Sequence, residues 1–191
     1  MTSPTVSSPR YFSTQRLAFV GMSTAIISIL SQFSIPLPPV PMTLQTFALA
    51  LTACVLGPFL GLASAAVYLL CGAIGLPVFA GFHGGLSALI GFTGGFLLTF
   101  PAMSLLCGCS VLVKKPLRLF PCLAGLFVCH LGGILQYAYL AQVSFAASAM
   151  AVSVPYLLKD VLSVAAALFL AGKVRPALKK SGLLSWSGLL S

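Results

Sequence analysis

The chain has 191 residues, 59% of them hydrophobic and 6% charged, with a single acidic residue, Asp160, against ten basic ones. A soluble chain carries about 25% charged residues; this one cannot coat a soluble surface, and a bilayer must serve as its solvent. The net charge of +9 does not point to nucleic acid, because the basic residues gather at helix ends rather than on a groove-reading face. Membrane lipids with anionic headgroups are their expected partner.

Residues 1–16 are polar and rich in Ser, Thr and Pro, and read as a cytoplasmic N-terminal segment with no cleavable signal. A spanning helix needs about 20 apolar residues, and proline, glycine and short polar runs divide the rest into six apolar stretches. The first covers residues 17–35 and ends at the proline-rich 36–41. The second, 44–56, stops at Gly57-Pro58 and is short for a bilayer, so it must tilt or shelter behind neighbours. The third covers 59–76 and leads into a glycine-rich connector at 79–85. The fourth runs over 86–113 with an interruption at Gly91-Phe-Thr-Gly-Gly95. The fifth covers 119–142 and the sixth 155–172.

The expected fold is thus all-α, a polytopic transmembrane bundle of six helices over residues 17–175, followed by a basic, interfacial tail at 176–191. That tail repeats Ser181-Gly-Leu-Leu-Ser185 as Ser187-Gly-Leu-Leu-Ser191. With six spans, nine of the ten basic residues fall on one side, Lys159 being the exception. The excess of Lys and Arg makes that side cytoplasmic, with both termini on it. All six cysteines lie in apolar stretches without a CxxC pair, and read as small buried hydrophobes rather than metal ligands.

The opposite side then receives the 36–43 loop, the 81–85 loop and the start of the sixth span, which holds Asp160. A carboxylate inside a span costs about 2.5–3.5 kcal/mol to insert, so a functional role is the default. Tyr156, Asp160 and Ser163 are spaced to share one helical face. A pairing of Asp160 with Lys159 is not expected, because adjacent residues point about 100° apart. Gly81, Gly84, Gly85, Gly91, Gly94 and Gly95 serve either close approach of backbone to a ligand or tight helix packing. Thr43 and Gln45 can hydrogen-bond a ligand or cap a helix. His83 is a ligand contact or a solvated loop histidine, and Tyr137 a ligand contact or part of an interfacial aromatic belt. His130, in the cytoplasmic half of its span, reads as interhelical glue, because a metal needs more ligands than the chain supplies. In the first span Ala18, Gly21 and Ala25 form a small-residue stripe, for packing or for docking a separate membrane subunit.

No nucleotide-binding phosphate loop is present, so the chain cannot hydrolyse ATP itself. A lone intramembrane acid makes no proton relay. No nucleophile–base pair or metal site supports an enzyme, and no cofactor is implied.

Several stretches resemble the BioY family, the biotin-binding S subunits of energy-coupling-factor transporters. They are Val40-Pro-Met-Thr-Leu-Gln-Thr-Phe47, Leu56-Gly-Pro-Phe-Leu-Gly61, Gly72-Ala-Ile-Gly-Leu-Pro-Val-Phe-Ala-Gly81 with Gly84-Gly85, and Gly91-Phe-Thr-Gly-Gly95. The resemblance covers residues 17–175. It implies six helices in the plasma membrane, biotin captured near the outer face under the loop between spans one and two, and docking of span one on a transmembrane coupling subunit that sits on two ATPases. Where family members carry Pro-Phe-Leu-Pro-Gly-Asp-Leu-x-Lys, this chain has Asp160 as the acid and Tyr156 in the aromatic place. The family lysine falls on Ser163, and Lys159 replaces the glycine before the acid, so either can supply the polar partner. The substrate-binding candidates are therefore Asp160, Tyr156, Ser163, Lys159, Tyr137, Thr43, Gln45, Gly81, His83 and Gly85. An S subunit for riboflavin or thiamine, and a small membrane enzyme, are the competing readings.

Overall fold

The computed structural model describes residues 14–183. Most of the 1–16 segment and most of the repeated tail, with Trp186, lie outside the described residues. Helix α1 spans Thr14–Ser31, and a two-stranded antiparallel hairpin follows, β1 Ser34–Ile35 and β2 Met42–Thr43, with Ser34 opposite Thr43. Then come α2 Gln45–Leu56 and α3 Pro58–Ala73, the short α4 Leu86–Ile90 and α5 Gly94–Gly108. Helix α6 Leu119–Ala141, α7 Phe145–Val152 and α8 Val154–Lys180 complete the order.

The fold is a helical membrane bundle, with a short hairpin between α1 and α2. Among the described residues, three stretches, 94–111, 115–141 and 154–180, are long and apolar enough to cross a bilayer. Large apolar side chains such as Leu70, Phe120, Phe127, Leu158 and Phe169 point outward, which lipid solvates and water would not.

Helix α2 is short because it is interior. Ten of its twelve residues are buried, and it packs against α1, α3, α5 and α8. Small residues on that helix (Ala48, Ala50, Ala53, all fully buried) let four neighbours close around it. The expectation that a short second span needs shelter agrees with this placement. Pro58 begins α3 at a position where its missing N–H costs no bond.

The helices α5 and α6 form the tightest pair. A Cβ on Gly95 would stand 2.1 Å from the Gly132 carbonyl oxygen, well inside contact distance. The Gly91-Phe-Thr-Gly-Gly95 run therefore serves helix packing at its C-terminal end.

Three expectations need correction. The first apolar stretch does not stay helical to residue 35: α1 stops at Ser31, and Ser34–Ile35 pairs with β2, since the prolines that follow cannot continue a helix. The fourth stretch, by contrast, breaks where its interruption was expected, because Gly91 adopts an extended backbone between α4 and α5. The Gln136 amide makes that break tolerable by donating to the Leu89 and Gly91 carbonyls at 2.8 and 2.9 Å, so the freed acceptors are satisfied inside the bundle. The loop after the fifth stretch contains α7, started by Ser144, whose hydroxyl accepts from the Ala147 N–H. Helix α8 also runs to Lys180 rather than ending near 172, carrying the C-terminal basic residues on a helical rod.

Candidate functional site

The hairpin, the N-terminal ends of α2 and α8, the turn at 79–84 and the α4–α5 break surround a cavity of about 450 Å3. Its size falls in the range of small-molecule pockets, about 300–1,000 Å3. Phe79, Phe92, Phe96 and Phe100 face it on the α5 side and Pro39, Val40 and Pro41 roof it. Its polar groups come from Thr43, Gln45, Thr46, His83, Ser87, Thr93, Tyr156, Lys159 and Asp160. A mostly apolar wall with a few fixed polar groups suits a small ligand with a polar head.

Asp160 is the electrostatic centre. Its side chain is 7% exposed, and its Oδ1 accepts from the Thr46 hydroxyl at 2.5 Å. The Lys159 ammonium pairs with the same oxygen and also donates to the Thr43 carbonyl at 2.7 Å and the Thr46 hydroxyl at 3.3 Å. On the other side, His130 Nε2 stands 3.3 Å from Oδ2, off the line of a hydrogen bond. The histidine's Nδ1 bonds the Ser153 hydroxyl at 2.8 Å, and its ring meets Phe96 edge-on at 5.9 Å. A carboxylate is thus held with Oδ1 engaged and Oδ2 able to accept from a ligand N–H.

The pairing with Lys159 corrects the expectation from helix geometry. Adjacent Cα–Cβ bonds do diverge, but a lysine has a four-carbon stem. Here the stem curls back because the Thr43 carbonyl of β2 and the Thr46 hydroxyl in α2's first turn receive the ammonium. The residue one place before the acid thereby stands as the cation beside it.

The roof is tied to the floor. The Tyr156 hydroxyl donates to the Val40 carbonyl, linking α8 to the hairpin loop. The Gln45 amide donates to the Tyr68 hydroxyl at 2.7 Å, which in turn donates to the Val78 carbonyl at 3.2 Å. Ser31 and Gln32 reach that same carbonyl, and the Gln32 side chain accepts from the Phe82 N–H at 2.8 Å. Thr43 also accepts from the Gln45 N–H at 3.3 Å, so it caps α2 and lines the cavity at once.

Six of the ten sequence candidates therefore meet at this cavity: Asp160, Tyr156, Lys159, Thr43, Gln45 and His83. Ser163 is buried on α8 but is not part of the cavity wall. Tyr137 backs the wall, its ring 5.3 Å from that of Phe92. Gly81 and Gly85 do not face the cavity; their φ values of +69° and +95° make them turn residues. Gly84 and Gly91, by contrast, do line it.

Thr46 and His130 are the residues that sequence reasoning missed as parts of the site. Threonines in apolar helices usually bond back to their own backbone, as Thr52 and Thr99 do here. One signal was present for Thr46: it follows Gln45 at the start of α2, on the side of the bundle that holds Asp160. The reading of His130 as interhelical glue agrees with its bonds, but it reaches Asp160 itself.

The comparisons with known proteins bear on this geometry. A sequence model described as the BioY family matches residues 3–180. The chain belongs to the BioY family. A protein of Pyrococcus horikoshii called a probable biotin transporter BioY is 35% identical over 162 residues, covering 84% of this chain and 96% of that one. Another of that name, from Bacillus subtilis, is 32% identical over 178 residues, covering 88% of this chain and 95% of that one. In fold, the chain matches the crystal structure of the S-component for biotin from an ECF-type ABC transporter with a TM-score of 0.78. Identity there is 23%, and the match covers 85% of this chain and 91% of that one. This BioY chain is a multi-pass membrane protein of a transporter family, not an enzyme.

Proposed function

We propose that this BioY chain is the substrate-capturing S subunit of a biotin importer in the plasma membrane. Asp160 carries the reading: it is the chain's only acid, held in the wall of a cavity lined by aromatic side chains. Biotin joins a polar ureido ring to an apolar thiophane and chain and a terminal carboxylate. The ureido N–H groups donate to Asp160, the rings pack on Phe92, Phe96 and Phe100, and Lys159 supplies the positive partner. Tyr156, Thr43, Gln45 and His83 complete the contacts, with Ser163, Tyr137, Gly81 and Gly85 supporting the walls and turns. The family names of the relatives support the ligand.

On this reading the chain has six spans with both termini cytoplasmic, and the cavity opens near the outer face under the hairpin loop. Import inward takes its energy from a separate module, a transmembrane coupling subunit on two ATPases. Ala18, Gly21 and Ala25 are exposed on α1 in the isolated chain, and a Cβ on Gly21 would meet nothing within 4 Å. Such a smooth face admits a partner helix at close range. Gly21→Leu should keep ligand binding intact and lose copurification with the coupling subunit. Retained copurification would move the docking face off α1.

The test of the ligand is equilibrium binding of labelled biotin to the detergent-purified chain, with excess unlabelled riboflavin and thiamine as competitors. The expected result is saturable binding that unlabelled biotin alone displaces. Displacement by riboflavin or thiamine would reassign the vitamin, and no binding by folded protein would overturn the reading.

A further inference from the structure

His130 reaches the acid of the site, yet the capture reading gives it no task. It sits on α6, 5% exposed, in an apolar helix where an imidazole is costly unless its nitrogens are matched. Nδ1 is matched by the Ser153 hydroxyl at 2.8 Å. Nε2 is buried, makes no aligned hydrogen bond, and stands 3.3 Å from Asp160 Oδ2. The ring is held in this attitude by Phe96, which it meets edge-on. Phe96 is itself seated over Gly133, where a Cβ would stand 2.2 Å from its ring.

The proton on this imidazole can be placed by elimination. Among the described residues, the buried Ser153 hydroxyl makes no hydrogen bond except the one to His130. A proton on Nδ1 would leave the hydroxyl's own hydrogen with no acceptor. It would also turn the bare lone pair of Nε2 toward a carboxylate oxygen. A proton on Nε2 removes both faults: the Ser153 hydroxyl donates to Nδ1, and the N–H faces Oδ2. Protons on both nitrogens would set a second cation beside Lys159, where the chain's only acid is already paired.

An Nε2–H also completes the shell of the carboxylate. Two carboxylate oxygens offer about four lone-pair sites. Thr46 and Lys159 take two of them on Oδ1. The histidine takes a third, on Oδ2, which leaves one for a ligand N–H. The His130 contact is off line, and a small turn of the carboxylate about its Cβ–Cγ bond aligns it. We propose that His130, as the neutral Nε2–H tautomer set by Ser153, is a positioning residue for biotin capture. It fixes the plane of Asp160 so that Oδ2 presents its remaining lone pair to the cavity. This role rests on the biotin reading.

The first measurement is nitrogen NMR of the full chain in detergent with isotopically labelled histidine. The chain has two histidines, and the His130→Gln spectrum identifies which signals belong to His130. Ring-nitrogen shifts separate the two neutral tautomers from the cation. The Nε2–H form is expected, with its proton moving downfield on addition of biotin as the bond to Oδ2 tightens. An Nδ1–H form, an imidazolium, or a proton signal unmoved at saturating biotin would each overturn the proposal. The second measurement is biotin titration of His130→Leu, His130→Gln and Ser153→Ala. The leucine side chain fills the space without a donor and should weaken binding about tenfold, the scale of a hydrogen bond to a charged group. The glutamine amide restores an N–H at similar reach and should recover most of that loss. Ser153→Ala frees the ring to take the other tautomer, and its affinity should fall between those of wild type and His130→Leu. Equal affinity in His130→Leu and His130→Gln would reduce the histidine to packing and overturn the role. Thermal unfolding reports whether the variants fold; if they do not, the wild-type tautomer and its response to biotin decide. A wild-type chain in the Nε2–H form that binds no biotin would overturn the capture reading and this role with it. One that binds biotin in another tautomer would overturn this role alone.

Discussion

Asp160→Asn should weaken biotin binding more than tenfold while leaving the purified protein folded. The wild-type carboxylate offers acceptors only, and Oδ1 already takes the Thr46 hydroxyl and the Lys159 ammonium. An amide in its place keeps one acceptor and turns the other oxygen into a donor. If the oxygen stays with Thr46 and Lys159, the NH2 group meets the ligand's own N–H. If it faces the ligand, the NH2 group meets two donors instead. Either arrangement leaves a buried donor unpaired, at a cost of about 1–3 kcal/mol, and about 1.4 kcal/mol is tenfold in affinity. The variant also removes the only side-chain charge that balances Lys159 in the cavity wall. Titration of labelled biotin into both proteins is the measurement, with Ser163→Ala, buried on the same helix outside the wall, as the variant expected to change little. Unchanged affinity in Asp160→Asn would remove the acid from the binding site.

Gly95→Ala should be strongly destabilising in the bundle core. The added carbon would lie 2.1 Å from the Gly132 carbonyl oxygen and 2.7 Å from its carbon. Backbone, unlike the end of a flexible side chain, cannot swing aside, so α5 and α6 must part. That separation costs packing along a pair whose Gly132 and Gly133 positions are also filled by α5, through Thr99 and the Phe96 ring. Overpacking of this kind costs about 1–3 kcal/mol, and the thermal midpoint in detergent should fall by several degrees. Gly172→Ala and Gly21→Ala add the same methyl where nothing stands within 4 Å. They should match or exceed wild-type stability, because alanine is the better helix former by about 1 kcal/mol. A Gly95→Ala protein as stable as those two would mean that α5 and α6 are not held this closely.

The two effects differ in what made them legible. Asp160 announced itself: one acid in a chain with 6% charged residues must either be matched or be used. The glycine runs announced only that something comes close. At Gly95 the close neighbour is another helix, at Gly84 it is the Leu76 carbonyl, and Gly91 lines the cavity; residue type alone cannot separate those cases. Lys159 went the other way. Direction along a helix argued against its pairing with the adjacent acid, and acceptors from α2 and β2, 113 and 116 positions away, reversed the outcome. The hairpin and α7 escaped notice because a two-residue strand and an eight-residue helix leave no periodicity long enough to read.

By itself, then, the amino-acid sequence determined the solvent, the helical class and the acid at the centre of the site. All three follow from local quantities: apolar run length, charge count and the cost of a carboxylate in hydrocarbon. Only the tertiary structure decided which polar groups meet that acid. Thr46 lies 114 positions away in the chain, and His130 belongs to a different helix again. Their convergence depends on how closely α2, α6 and α8 approach, and small buried residues set that distance through packing, which no single segment encodes.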